Sequence, residues 1–309
     1  MNFYTKEQVI ALTPLWKGER FDDGRPKVSD AILERFRHII LEEAWDPMNM
    51  KYGYPKTYQM GLKRTHMQPE KEILVGRAYT CAMLPTRQDY NQVIMDYGTK
   101  MGFKAGQNQW VVDALQPGDV GVIDLFGKIK EGTFVGGNLA KAVAYNTKGG
   151  GLVVWGGIRD VGQIRELDEL QIYYVDDDAS GIRDVTLSTV NGPVRVGDAT
   201  CLPGDVVYAT AQGVLFIPPH IAEEVVAEGE KTHFKDEFCF QRLDEGTYRI
   251  HEVHSVWRKD IFEDFLNWFK TAPSTKNFQY LTFEEDRERI EKWWAENSAA
   301  KNNGDYVVI

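Results

Sequence analysis

Cysteine is scarce: Cys81, Cys201 and Cys239 are the only three in 309 residues, far apart and without a CxxC pair. An odd count with no framework fits a reducing compartment and excludes a thiolate zinc site. Long apolar runs are missing too. The most apolar stretch, Gly151 to Ile158, is far short of the roughly 20 residues of a membrane helix. The opening MNFYTKEQVIALTPLWKGER has no apolar core for a signal peptide. The expectation is a soluble, cytoplasmic protein with no membrane partner. Positive charge is in deficit: 36 Lys and Arg against 46 Asp and Glu leave a net charge of −10. Such a surface repels phosphate backbones and argues against a nucleic-acid partner. No Walker loop, nucleophile elbow or dinucleotide fingerprint with its acid occurs. What is present is ordinary globular composition, 43% apolar and 27% charged, which excludes wholesale disorder.

Composition changes twice along the chain. Residues 1–72 read as an N-terminal extension with one helix and a long loop. Ser29 or Asp30 can cap that helix, and Ile32, Phe36, Ile39, Ile40 and Ala44 recur at helical spacing until Pro47. Residues 73–245 alternate strands, loops and helices, and residues 246–309 read as a helical, aromatic extension. Within the middle region GLVVWGGI is a continuous apolar run, as expected of a parallel strand covered on both faces. A Pro-Gly-Asp-Val opening occurs at Pro117 to Val120 and again at Pro203 to Val206, which shared turn geometry explains. Phe262, Phe265, Leu266 and Phe269 form an apolar stripe on a C-terminal helix, a packing surface for the core or for a neighbouring subunit.

Two segments carry the chemistry when read together. Gly136-Gly137-Asn138-Leu139-Ala140 places two glycines and a capping Asn at a helix start, where unpaired amides favour an anion. Gly156-Gly157-Ile158-Arg159-Asp160 puts Arg159 and Asp160 just beyond a buried strand, where open α/β sheets build their sites. Arg159 can grip a carboxylate or keto oxygen through two donors. Asp160, a hard oxygen ligand, can hold Mg²⁺ or Mn²⁺ largely through waters. Together they suit a 2-oxo acid, with its carboxylate at the helix start and its carbonyl polarised beside it. The alternative is a glycine-rich turn beside a surface Arg-Asp pair. Ile-Arg-Asp-Val recurs at Ile182 to Val185, but that copy lacks a buried strand, so Arg183 and Asp184 read as a solvated ion pair. Among the remaining candidates, His251-x-x-His254 lacks a third ligand. Lys63, Arg64 and His66 could supply positive charge to an anionic substrate but read rather as a solvated loop, and Asp124 at a strand end reads as a turn cap, with support of the site's side chains as the alternative.

The ordered set ILVGRAYT, QPGDVGVID, GGNLA, GGLVVWGGIRD and LPGDVVYATAQGVLFIP resembles the ribonuclease-regulator-A-like (RraA-like) family. That family includes the divalent-metal 4-hydroxy-4-methyl-2-oxoglutarate and 4-carboxy-4-hydroxy-2-oxoadipate aldolases. The resemblance covers residues 73 to 245 plus KVSDAI near Ser29. It implies the α/β class, with an α/β/α core resembling the swivelling β/β/α domain, assembled as trimers or hexamers with sites between subunits. It further implies Arg159 on a pyruvate moiety, Asp160 on the metal, and Gly137, Asn138 and Leu139 as the carboxylate cradle. Glu237 falls where the family tends to have an acid near the neighbouring subunit's metal; an exposed helical Glu is the alternative. The aldolases usually carry an acid where Gly137 stands, and Trp155 is bulkier than usual. The leading expectation is a metal-dependent lyase, cleaving or decarboxylating a 2-oxo acid. The alternatives are a non-catalytic ribonuclease-binding regulator, or an eliminase or hydratase acting on sugar acids.

Overall fold

The structure, a computed structural model, describes residues 4–297. Internal contacts divide the chain between Val226 and Ala227 into two compact units. The strands of the first unit are β1 (Tyr58–Gln59), β2 (Lys63–Arg64), β3 (Leu74–Pro85), β4 (Asp119–Asp124), β5 (Gly151–Ile158) and β6 (Gln171–Asp177). They continue with β7 (Val185–Val190), β8 (Val194–Val196), β9 (Ala199–Cys201), β10 (Val206–Thr210) and β11 (Gly213–Ile217). One sheet runs in the order β1-β11-β10-β3-β4-β5-β6-β2, with β7 paired to the second half of β3, while β8 and β9 form a separate ribbon.

The four central strands, β3 to β6, are parallel, and the flanks are antiparallel. Val153 of β5 sits between Val122 and Tyr173 with no exposed surface, which is why GLVVWGGI carries no polar alternation. Each such valine contributes roughly 1.5–3 kcal/mol through burial. One face of the parallel strands packs Ile123, Val154 and Ile172 against Trp110, Ala140 and Val143 from the helices Gln107–Asp113 and Gly137–Thr147. The other face packs Val122 and Val153 against Val194, Val196 and Cys201 of the β8–β9 ribbon. The expected α/β class therefore holds, and the layers are ribbon, sheet and helices, a β/β/α arrangement.

The expected single helix up to Pro47 is divided. Helix Asp30–Arg35 is capped by Ser29, a 3₁₀ turn follows at Phe36–His38, and a second helix runs Leu41–Met50 with Pro47 inside it. Ile39 is extended at ψ 163°, and the Glu43 carboxylate accepts from the Ile40 amide at 2.9 Å, starting the helix afresh. Phe36, Ile39 and Ala44 nonetheless reach one core with Val206 and Leu215, so the apolar spacing reported burial correctly and continuity wrongly. This segment and the sheet belong to one unit, without a boundary near residue 72.

The two Pro-Gly-Asp turns share a geometry. Gly118 and Gly204 have φ of +79° and +85°, and each Asp accepts from the amide three residues back, Gln116 and Leu202. Their electrostatics differ. Asp119 is gripped by Arg25, whose two terminal nitrogens donate at 2.7 and 3.2 Å while its Nε donates to Asp23 at 2.7 Å. Arg25 is wholly buried, stacked between Phe21 and Tyr79. Asp205 has no such cation among the described residues, and burial pushes its carboxyl up to about 7 from the ordinary 3.8.

In the second unit Phe234 and Phe238 of the helix Ala222–Asp244 join Phe262, Phe265 and Phe269 of the helix Lys259–Thr271 in one aromatic core. The Phe265 and Phe283 rings meet edge to face at 4.9 Å. The predicted stripe is thus internal to this unit, which begins at Ala227 rather than at residue 246 and includes Phe234 and Phe238 packed on Phe269 and Phe265.

Two stability outcomes follow from the turns. Arg25→Met leaves Asp119 charged and dry, and is expected to cost about 3–5 kcal/mol in urea denaturation, with Arg25→Met/Asp119→Asn recovering part of it. Asp205 holds its proton more tightly folded than unfolded, so its burial costs nothing well below pH 4 and progressively more as pH rises to about 7. Asp205→Asn is therefore expected to stabilise by on the order of 2 kcal/mol at pH 8, the gain vanishing near pH 3.5.

Candidate functional site

β5 delivers Arg159 and Asp160 to the carboxyl end of the parallel strands. Asp160 adopts φ +56°, a left-handed conformation that Asp tolerates better than most residues. Its carbonyl then accepts from the amides of Gln163 and Ile164 at 2.9 and 3.1 Å, opening the short helix Val161–Ile164. The loop leaving β4 starts at Asp124, whose carboxylate accepts from the Phe126 amide at 2.9 Å; the cap reading of this residue holds. That loop returns alongside β5: Phe134 donates to the Gly157 carbonyl at 2.9 Å, and Arg159 donates to the Val135 carbonyl at 3.0 Å. Gly156 and Gly157 permit the approach, since a Cβ on Gly157 would lie 2.9 Å from the Ile129 carbonyl oxygen.

The loop hands the chain to the helix Gly137–Thr147 directly opposite Asp160. The Gly137 amide donates to Asp160 Oδ2 at 3.1 Å, and Arg159 Nε lies 3.8 Å from the same oxygen. The structure therefore brings Gly137, Arg159 and Asp160 together. Gly136 makes this possible: a Cβ there would overlap Asp160 Oδ2 and stand 2.9 Å from Arg159 Nε. Asn138 and Leu139 supply the next two amides of the first turn, which have no acceptor one turn back. The expected capping role of Asn138 is not seen: Gly136 is the N-cap residue, and no side chain of this segment caps the helix. Asp160 of the neighbouring strand end does so instead, where helix-dipole charge favours a carboxylate.

The site is open in the single chain, with 45% of the Arg159 side chain and 38% of the Asp160 side chain exposed. Gln163 was not anticipated. A Cβ on Gly137 would overlap its Oε1, so the Gln163 amide occupies the space above that glycine. Only its i+3 offset from Asp160 in a one-turn helix signals it, and so short a helix has no periodicity to read. Glu237 is half-buried on the helix Ala222–Asp244 of the second unit. No cluster of three His, Cys, Asp or Glu side chains with metal-site geometry occurs among the described residues.

The other candidates are accounted for. Lys63 pairs with Asp176, and Arg64 pairs with Glu72 at 3.2 Å. His66 is buried against the Leu167 carbonyl at 3.2 Å. The second Ile-Arg-Asp-Val is exposed as expected, but Arg183 and Asp184 form no ion pair with each other among the described residues. Trp155 packs beside Val153 on the ribbon face, its indole towards Gly127.

A sequence profile of the RraA-like family, Aldolase/RraA, matches residues 26–216. The chain belongs to the RraA-like family. The match opens at Pro26, just before the KVSDAI piece, in keeping with the place of Arg25 and Pro26 on the two turns, and it ends with the last strand rather than at residue 245. Among named relatives, "Putative 4-hydroxy-4-methyl-2-oxoglutarate aldolase" of Halalkalibacterium halodurans is 29% identical over 136 residues, 43% of this chain and 63% of the relative. The chain thus spans under two thirds of that relative's length. Among solved structures, Streptomyces coelicolor RraAS2, described as an unusual member of the RNase ES inhibitor RraA protein family, superposes with a TM-score of 0.57 at 23% identity. That likeness covers 71% of this chain and 98% of the other. An uncharacterized Pseudomonas syringae protein gives 0.58 at 16% identity, over 74% and 98%. These two share the fold. No helix among the described residues of this RraA-like chain is long and apolar enough to cross a membrane.

The two glycines should respond oppositely to a methyl group. Gly136→Ala must displace Asp160 or Arg159, and is expected to cost about 1–3 kcal/mol in thermal unfolding and to move the Gly137 amide resonance. Gly137→Ala displaces only the end of Gln163 and gains helix propensity, so its stability should stay within about 1 kcal/mol of the parent or exceed it.

Proposed function

We propose that this RraA-like chain is a divalent-metal-dependent lyase acting on a 2-oxo acid, by retro-aldol cleavage or decarboxylation. The observation that carries the reading is the convergence of Gly137, Arg159 and Asp160, with two further helix-start amides beside them. The relative described as an aldolase supports the same class. Arg159 and the Asn138 and Leu139 amides bind the substrate's carboxylate end and orient it. The guanidinium then faces the keto oxygen, where negative charge develops as the carbon-carbon bond breaks.

The donor set fits Mg²⁺ or Mn²⁺ in one specific manner. Asp160 Oδ2 is taken by the Gly137 amide, while the second oxygen of this part-exposed carboxylate has no hydrogen-bond partner among the described residues. One hard oxygen plus waters suits an octahedral cation that dehydrates reluctantly. When bound, the ion would supply Lewis-acid polarisation of the keto oxygen. Gln163, above Gly137, places an amide where the family's aldolases usually have an acid, so this chain orients water there without a carboxylate.

The open site supports assembly as a trimer or hexamer that covers it, and Glu237 is the residue proposed to reach a neighbouring copy's site. Three buried free cysteines support a cytoplasmic setting.

Purified protein is expected to decarboxylate oxaloacetate in the presence of Mg²⁺ or Mn²⁺ and to lose that activity with a chelator. Asp160→Asn preserves an acceptor for the Gly137 amide yet should lower kcat/KM by about 100-fold or more. Arg159→Lys should raise KM through the weaker grip on the carboxylate and also lower kcat through the lost contact with the developing oxyanion. Turnover unaffected by the chelator or by Asp160→Asn overturns the assignment. Absence of turnover on a 2-oxo acid panel, with capture of a ribonuclease, favours the regulator.

A further inference from the structure

The first unit holds a cavity of about 390 Å³ that shares no residue with the Arg159–Asp160 region. Its walls come from the N-terminal segment (Leu12 to Trp16), the 53–57 loop, the end of the β8–β9 ribbon and the turn that follows β11. Those walls are held in place. The Thr200 amide donates to the Lys56 carbonyl at 2.9 Å, the Phe216 amide to the Thr57 carbonyl at 2.8 Å, and the Trp16 indole to the Glu19 carbonyl at 2.8 Å. Pro14, Pro55, Pro218 and Pro219 stiffen the rim. A preformed, mainly apolar hollow with a few converging polar groups has the character of a small-molecule site.

The polar groups define what it takes. Tyr54 and His220 are engaged with each other, the phenol oxygen 3.3 Å from His220 Nε2. Burial lowers the His220 imidazolium's stability and holds the Asp205 carboxyl up to about 7, so neither presents a firm charge near neutrality. Lys56 is the cation on the wall, exposed and without an ion pair among the described residues. Flat side chains (Trp16, Tyr54) and proline faces pack best on a planar ring. A sugar or nucleotide would leave its many polar groups unpaired against this lining.

We propose that this cavity is a second binding site, for an aromatic carboxylate, with the ring between Trp16 and the proline faces and the carboxylate on the Lys56 ammonium. The assignment stands independently of the lyase reading, because no residue is common to both.

Isothermal titration of the full-length protein with benzoate and with its uncharged isostere benzamide tests it. Benzoate is expected to bind below about 1 mM and about tenfold tighter than benzamide. Lys56→Met should bring benzoate down to the benzamide level and leave benzamide unchanged. Thr200→Trp, and Leu15→Trp as an independent plug, alter exposed wall residues and should abolish binding of both with the melting temperature retained. Arg159→Ala should leave both isotherms unchanged. Benzoate failing to saturate by about 10 mM overturns the proposal, as do isotherms indifferent to Lys56→Met and both plugs, or benzoate binding lost in Arg159→Ala.

Discussion

The Gly137 amide donates to Asp160 Oδ2 across 3.1 Å, and that contact exists only because Gly136 carries no side chain. Everything at the carboxyl end of the sheet depends on the closeness. The loop from β4 must pass beside β5, which Gly156 and Gly157 permit, and must then turn into a helix without striking Arg159. Asp160 must leave the strand in a left-handed conformation to bring its carboxylate back towards the amide. Three glycines and one unusual φ thus place a guanidinium, a carboxylate and a helix start within one small volume. A methyl group at position 136 would separate them.

The opposite end of the parallel strands is governed by burial of charge. Arg25 is entirely out of water, yet its donors meet Asp119 and Asp23, and two aromatic faces enclose it. Such a pair adds little net stability against an apolar substitute, but breaking it is expensive, so it fixes the one place where the N-terminal segment can dock. Pro26 then lies against Gly204 of the second turn, where a Cβ would be 2.8 Å from the proline nitrogen. The N-terminal segment therefore belongs to the core, bolted to both Pro-Gly-Asp turns, and the family match beginning at residue 26 is consistent with that.

What was legible in the sequence was whatever a local pattern dictates. The run Gly151 to Ile158 announced a strand buried on both faces because no polar side chain interrupts it. The Pro-Gly-Asp repeats announced turns because positive φ demands glycine. Arg159 and Asp160 could be placed at a strand end, and so near the helix start, from chain order alone. Illegible were features decided at a distance. The helix over residues 30–50 is broken because Glu43 caps a new start at Ile40, and a period of 3.6 cannot distinguish one helix from two in line. Asn138 looks like a cap, but a carboxylate 22 residues later in the chain takes that place. The boundary near residue 226 rests on Phe234 and Phe238 joining later aromatics, a pairing no local window contains.

Asp160 caps the helix, and under the proposed function it would also hold the cation. As a cap it uses Oδ2, held against the positive end of the helix; the proposed ligand is the other oxygen of a side chain that is 38% exposed. The cap restrains one carboxylate oxygen, so a cation gathered by the other would lie beside the helix-start amides rather than wander on an unrestrained side chain. Arg159 supplies the balancing positive charge beside the capped oxygen, leaving the free one as the more attractive side for a divalent ion. A surface Arg-Asp pair without the helix would lack that restraint and the difference between its two oxygens. Under the proposed reading, the helix start is what turns an ion pair into a directed site.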